Sequence, residues 1–371
     1  MQNDTDSRLR RVRGPVQPKR HNARTIAALT SNPGCARRGV CDAAGVDKDA
    51  LAGRVGFPAR FGQSQFAITR GNAFEAQVKA NGCAELLTLL REVLHLDITE
   101  VGYTDLEEAG GNDSQDVRHA YSRRTLLAAA AGRDDAGTLF DHPLLRMDVA
   151  GNGVYLEPDL IAFQYAGIFH VIEIKSFAVI DGQADGGKVA SAAIQSAVYV
   201  QALRTLLGSD DAVSSDIVLV CPKDFSNKPC ATKVDVRKQL IVLQHQLNRL
   251  ARIDALLDAL PAGVTLDLAK DDAGQPVLSR AELVQALGCI EARYSPECLA
   301  SCELAFFCRD EASGQTAALG KSVREELGGV ETVATALGLA AGSLLPSDEQ
   351  AEITALLRAA SRIYRESVAA A

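Results

Sequence analysis

Two charged residues stand two apart in an otherwise apolar run, VIEIKSF: Glu173 and Lys175, between Val171 and Phe177. In an extended strand, side chains two apart share a face. An acid and a base would then stand side by side while Ile172 and Ile174 face the core. Upstream lies YLEPDLIAF, in which Pro158 and Asp159 open a second apolar run. A tight turn at Ala166-Gly167 joins the runs, and a hairpin of that shape brings Asp159 beside Glu173. Two carboxylates held together repel unless a cation sits between them. Oxygen ligands suit Mg²⁺ or Mn²⁺, and the main-chain carbonyl of Ile174 offers one more. Lys175 is placed to orient an attacking water or to stabilise charge on a phosphate. This is the equipment of metal-assisted phosphodiester hydrolysis. The ordinary alternative for an isolated Glu-x-Lys is a cross-strand salt bridge.

Other residues bear on the same chemistry. RGNAFE, Arg70 to Glu75, reads as the opening of a long helix. Gly71 permits a close approach of its start, and Glu75 can lean a third carboxylate toward a metal. Without a metal, Glu75 is an acid favourable with the helix dipole. In QSAVYV, Gln195 and Tyr199 are four apart and share a helical face. Gln195 suits a hydrogen bond near the metal site, and Tyr199 suits packing beside a DNA path. GQADGGK, Gly182 to Lys188, has the spacing of a phosphate-binding loop, but Val189 follows where Ser or Thr would reach Mg²⁺. It reads as a connecting loop whose Lys188 touches a DNA phosphate.

Nine cysteines form the second candidate set. Cys298, Cys302 and Cys308 follow each other as C-x₃-C-x₅-C in CLASCELAFFC. Soft thiolates suit zinc or an iron–sulfur cluster. No second close pair completes a zinc ribbon, so a distant single cysteine closing a [4Fe–4S] site fits better. Cys35 and Cys41 are the upstream candidates. Cys83, Cys221, Cys230 and Cys289 read as buried small hydrophobes.

The elements that must position these residues follow from pattern. TIAAL reads as a short helix before a turn at Asn32-Pro33-Gly34. GNAFEAQVKANGCAELLTLLREVL and SQDVRHAYSRRTLLAAAAG have helical spacing. From LLRMDV to VIEIKSF the chain reads as a meander of short strands, with turns at Gly151-Asn152-Gly153 and Ala166-Gly167. A helix over about 187–207, a buried strand DIVLVCP and a helix from VDVRKQL onward complete the pattern. Residues 1–24 carry seven Arg and Lys against Asp4 and Asp6 and read as a flexible basic arm. Residues 311–371 are Ala- and Leu-rich with helical spacing.

The whole chain of 371 residues is 47% hydrophobic and 23% charged, which is ordinary for a folded globular protein. Its net charge of −8 argues against a surface coated for nucleic acid, though not against a local basic patch. No apolar run approaches a membrane span, and no apolar stretch follows the N-terminal charges as in a secretory signal. The expected location is a reducing cytoplasm, where thiols rather than disulfides persist.

The order G-x-x-x-E, P-D, E-x-K, Q-x-x-x-Y resembles the PD-(D/E)XK nuclease superfamily and its RecB-like branch, over about Arg70 to Tyr199. The resemblance implies an α/β fold, a restriction-endonuclease-like core with a central mixed sheet flanked by helices. It implies Glu75, Asp159 and Glu173 as metal ligands and Lys175 as catalytic. Many such relatives carry a histidine in the first helix, where this chain has Phe74. The cysteines resemble those of iron–sulfur nuclease domains in AddAB-type enzymes and CRISPR-associated RecB-like exonucleases. There one cysteine precedes the nuclease motifs and three follow; the turn before Cys35 and the arginines after it resemble the N-terminal cysteine segment of those domains, which favours Cys35 over Cys41 as partner of Cys298, Cys302 and Cys308. The cluster would staple a nuclease domain over 25–310, ahead of the helical 311–371. Implied partners are DNA, single-stranded or ended, and a helicase or defence-system protein. The rival readings are a DNA-binding module that cuts little, and an iron–sulfur redox sensor on a nuclease-like scaffold.

Overall fold

The computed structural model describes residues 2–19, 21, 25–28, 32, 34–59, 65–95, 101–106, 114–132, 137–149, 152–156, 160–165, 167–224, 226–250 and 253–369. The expected ligand Asp159 and its neighbour Pro158 lie outside the described residues, as do Pro33 and Ala166.

Contacts divide the chain into two compact units that alternate along the sequence. One unit comprises Met1–Pro18, Gly34–Phe61 and Leu256–Ala371; the other comprises Lys19–Pro33 and Gly62–Ala255. These divisions run differently from the 24 and 310 boundaries drawn on composition.

The second unit holds the sheet. Its strands are β1 (Val101–Asp105), β2 (Gly137–Asp141), β3 (Leu145–Val149), β4 (Asn152–Leu156), β5 (Leu160–Tyr165), β6 (Ile168–Ile174), β7 (Asp216–Pro222) and β8 (Pro229–Asp235). Six of them form one mixed sheet in the order β1-β2-β5-β6-β7-β8, and β3 pairs with β4 as a separate hairpin. β1 runs parallel to β2 and β6 parallel to β7; the other neighbours are antiparallel. The β5–β6 hairpin pairs Tyr165 with Ile168, and Gly167 supplies a positive φ of 80° at the turn. Asn152 and Gly153, expected in a turn, are instead paired in β4, opposite Val149 and Asp148.

We label the helices α1 (Gln2–Arg13), α2 (Ala36–Ala44), α3 (Lys48–Arg54), α4 (Gln65–Leu94), α5 (Gln115–Ala131), α6 (Gly186–Leu207) and α7 (Arg237–Leu250). Further on come α8 (Ile253–Asp258), α9 (Arg280–Gly288), α10 (Cys298–Ser301), α11 (Ala305–Glu311), α12 (Lys321–Glu326), α13 (Val333–Ala341) and α14 (Ala351–Ala369). The alternation of strand side chains sorts the sheet into two buried faces. Leu139, Phe163, Ile172, Ile174, Val218 and Val220 meet Phe74, Val78, Leu86 and Leu90 of α4. Phe140, Phe169, Val171, Ile217 and Leu219 meet α6, α7 and the β3–β4 hairpin. Helix α4 is broken at Ala80–Cys83, where Asn81, Gly82 and Cys83 take left-handed backbone.

The first unit corrects the reading of the N-terminus. The supposed flexible arm is helical over Gln2–Arg13, because Leu9 and Val12 give α1 an apolar face that is buried. Two of its basic residues are used internally: Arg8 pairs with Asp258 at 2.7 Å, and Arg13 donates to the carbonyls of Val16 and Ala44. Among the described residues no helix is long and apolar enough to cross a membrane.

Candidate active site

Helix and strand periodicity converge at the end of β6. Glu173 is only 1% exposed, on the sheet face that α6 covers. Lys175, two residues on, forms an ion pair with it. The lysine Nζ also donates to Gln195 Oε1 at 3.2 Å, and Gln195 Nε2 donates to the Tyr199 hydroxyl at 3.2 Å. The chain Glu173–Lys175–Gln195–Tyr199 thus joins two residues at the end of β6 to two on one face of α6. Tyr199 is 1% exposed and packs in the core, so it braces Gln195 and is not a surface residue beside a DNA path. Ile174 turns its side chain to the α4 face. Leu160, next to Asp159 in sequence, pairs with Glu173 across the hairpin.

Glu75 has a different setting from the one expected. Helix α4 begins at Gln65, so Glu75 is well past its first turn. Gly71 has no positive φ, and a Cβ there would meet only Ser176 Oγ at 3.8 Å, an ordinary contact. Its closeness to Ser176 nevertheless sets α4 against the residue after Lys175. Glu75 itself accepts from Lys79 Nζ at 2.6 Å, and Lys79 also reaches Asp141 Oδ1 at 2.8 Å. Asp141 ends β2, is 3% exposed, and receives the Tyr103 hydroxyl at 2.7 Å. His142 approaches Asp141 at 3.1 Å and Glu75 at 3.8 Å. The histidine near Glu75 comes from the end of β2, not from the helix, where Phe74 is buried. Burial opposes ionisation of Asp141, but hydrogen bonds from His142, Lys79 and Tyr103 outweigh it and hold the carboxyl well below its usual range. Burial likewise opposes the charge on Lys79, and its bonds to Asp141 and Glu75 restore it, raising its pKa.

Sequence reasoning missed Lys79, Tyr103, Asp141 and His142. Only Lys79, four residues after Glu75, carried a local signal; the others meet through sheet order.

The GQADGGK segment does not cradle phosphate. Asp185 caps α6, its Oδ1 accepting the backbone N–H of Lys188 at 2.8 Å. An acid at the N-cap takes the place an anion would need. Lys188 is exposed in the first turn of α6.

The four expected cluster cysteines all lie in the first unit. Cys35 is the N-cap residue of α2, Cys298 starts α10, Cys302 follows it, and Cys308 lies in α11. The last three are buried and Cys35 is half-buried. Three buried cations surround them. Arg37 donates to Cys308 Sγ at 3.3 Å, to both oxygens of Glu311, and to the carbonyls of Leu287 and Ile290. Arg38 pairs with Asp42 at 3.2 Å; Lys48 pairs with Asp42 and stands 3.7 Å from Glu303. Burial pushes the Cys302 thiol up to about 11, against the pull of Arg38 and Lys48. Burial pushes Cys308 up to about 12, against Arg37, while Cys302 and Cys35 lie close enough to add to the rise. Cys41 is fully buried in α2, and burial raises its thiol strongly. Cys83 and Cys221 are buried as expected, Cys230 is half-buried, and Cys289 is exposed at the end of α9. Among the described residues no three His, Cys, Asp or Glu side chains close together as a metal-ion site.

No protein-family model and no curated protein matches the chain. Among solved structures it is similar to a "Putative exonuclease" from Eubacterium rectale, at 13% identity over 66% of this chain and 87% of that one, with a TM-score of 0.28. A likeness of that order fixes neither fold nor activity.

Proposed function

We propose that the chain is a Mg²⁺- or Mn²⁺-dependent deoxyribonuclease acting on single-stranded or ended DNA. One observation carries this reading: a buried carboxylate, Glu173, paired with a lysine that a second element holds in place through Gln195. A surface salt bridge needs neither the burial nor the third residue. The donor set fits a hard divalent cation, since Glu173, Asp159 and the Ile174 carbonyl all offer oxygen. Bound there, the metal supplies Lewis acidity and an activated nucleophile at neutral pH. Lys175 neutralises charge on the scissile phosphate, and Gln195 fixes where its Nζ points. Glu75 joins the ligands only when its pair with Lys79 opens. That pairing is also what favours the second reading, a DNA-binding module that cuts little.

End-labelled linear and circular DNA, incubated with Mn²⁺ and with either wild-type protein or Lys175→Ala, tests the reading. A product ladder from the wild type that vanishes in the variant is expected. Equal ladders from both would remove Lys175 from the reaction; no ladder from metal-loaded wild type that binds DNA would favour the binding module.

We likewise propose that Cys35, Cys298, Cys302 and Cys308 hold a [4Fe–4S] cluster, with Cys41 as the alternative to Cys35. The fit rests on donor chemistry: three buried thiols, a fourth half-buried, and Arg37, Arg38 and Lys48 to offset thiolate charge. Protein purified without air should be brown and carry about four irons per chain. Zinc without iron would overturn the cluster. A helicase or defence-system partner rests on the sequence resemblance alone.

A further inference from the structure

A cavity of about 440 Å³ opens between the β7–β8 part of the sheet and the start of α6, one strand over from Glu173, within the roughly 300–1,000 Å³ over which proteins hold small ligands. One wall is the sheet, with Leu219, Cys221, Thr232 and Val234; Leu219 is the β7 partner of Glu173. The other wall is the start of α6 and its preceding loop, lined by small residues: Gly182, Ala184, Gly186, Ala190 and Ala193. A Cβ added at Gly182 or Gly186 would meet nothing within 4 Å, so these residues leave the space open. The same helix carries Gln195, the residue that holds Lys175. The backbone N–H of Lys175 donates to the carbonyl of Val220, the residue before Cys221, at 2.9 Å. Gln239 of α7 lines the cavity, and its Oε1 is buried with no hydrogen-bond partner among the described residues. A buried amide oxygen without a donor is costly and points to a ligand that supplies one.

We propose that this slot takes one unstacked nucleobase of the DNA strand, seating an adjacent phosphodiester at Glu173 and Lys175. The identity of the ligand rests on the nuclease reading; the slot itself does not. A base matches the lining on three counts. It is flat and largely apolar on its faces, as the two walls require. Its exocyclic amine or ring N–H gives Gln239 Oε1 the missing donor. It is also tethered to the phosphate that Lys175 would meet, so one binding event fills both. The consequence is a requirement for single-stranded or frayed DNA, because a base inside a duplex cannot reach the slot without unpairing.

The test uses the full chain without divalent metal and short single strands carrying 2-aminopurine at successive positions. A base leaving its neighbours for the slot should raise emission severalfold at one position of the strand. Ala190→Phe, which fills the slot from the exposed side of α6, should abolish that rise. Gln239→Leu should weaken binding of the strand about tenfold, the scale of one lost base contact. Melting curves establish that both variants fold, and Gln239→Leu serves if Ala190→Phe does not. Flat emission at every position of a bound strand would overturn the slot, as would an unchanged rise in both variants. Cleavage with Mn²⁺ separates the two ideas. A protein that cuts but gives flat emission loses the slot alone; one that gives the rise and its loss in the variants but never cuts keeps the slot and loses the nuclease.

Discussion

Replacing Asp141 by Asn isolates the charge at the centre of the α4–β2 network. The side chain keeps its shape, so packing at the end of β2 is preserved. What disappears is the anion that Lys79 reaches at 2.8 Å and that Tyr103 reaches at 2.7 Å. Breaking a buried pair by removing one partner costs roughly 3–5 kcal/mol. Here Glu75 still accepts from Lys79 at 2.6 Å, and the Asn oxygen still accepts one bond. About 2–3 kcal/mol is therefore expected, or roughly 5–10 °C in Tm for a unit of this size. The pH dependence follows from the depressed carboxyl. Its stabilisation is fully present above the ordinary value of 3.8 and is lost as pH falls through the lower folded value. Urea unfolding of wild type and variant at pH 7 and at stepwise lower pH measures the gap. It should stay near its full value down to about pH 5 and close below about pH 4. The groups facing Asp141 are Lys79, His142 and Tyr103, with Glu75 behind Lys79, so a Lys79→Met background should remove most of the gap. A gap under about 0.5 kcal/mol at pH 7, the size of an ordinary surface change, would refute the argument. So would a gap that persists unchanged in strong acid.

Three further outcomes are expected. Gln195→Leu should lower kcat about tenfold, about 1.4 kcal/mol of barrier, with KM little moved, because it releases Lys175 without touching the strand; an unchanged kcat on DNA would mean that Lys175 is placed without it. Leu9→Ala should cost about 2–3 kcal/mol by calorimetry or urea unfolding, since α1 buries that side chain; no loss would return residues 2–13 to a solvated tail. Cys302→Ala should bleach anaerobically purified protein and lower its Tm, whereas Cys289→Ala, at an exposed site, should do neither.

Much of the sheet and its covering helices could be read because their patterns are local. DIVLVCP, the β5–β6 hairpin and the α6 helix each declare themselves within a few residues of alternating or helical spacing. The Glu173, Lys175 and Gln195 set was legible for the same reason: offsets of two on a strand and four on a helix fix the face. The Asp141 network was not. β2 pairs with β1 across an intervening helix and with β5, three strands further on, and no periodicity states which strands will adjoin. The α1 helix was hidden by its own composition, since seven basic residues in the segment outweighed Leu9 and Val12, three apart, as a helical signal. Tyr199 was placed on the right helix face but at the wrong depth, because spacing gives direction and not burial. Asn152 and Gly153 carry turn chemistry yet sit in β4, paired with Val149 and Asp148.

The alternation of the two units along the sequence imposes an order on synthesis. Every residue of the sheet unit precedes Leu256, so that unit is complete in the emerging chain before the last stretch of the other exists. Arg37, Arg38 and Lys48 leave the ribosome with Asp42 nearby, but Glu303 and Glu311 follow only after tens of seconds at about 5–20 residues per second. During that interval α2 and α3 carry an excess of positive charge, and the thiols of Cys35 and Cys41 stand there before Cys298, Cys302 and Cys308 are made. The sheet unit is thus free to finish first, and the cysteine-bearing unit closes around residues that have waited longest for their partners.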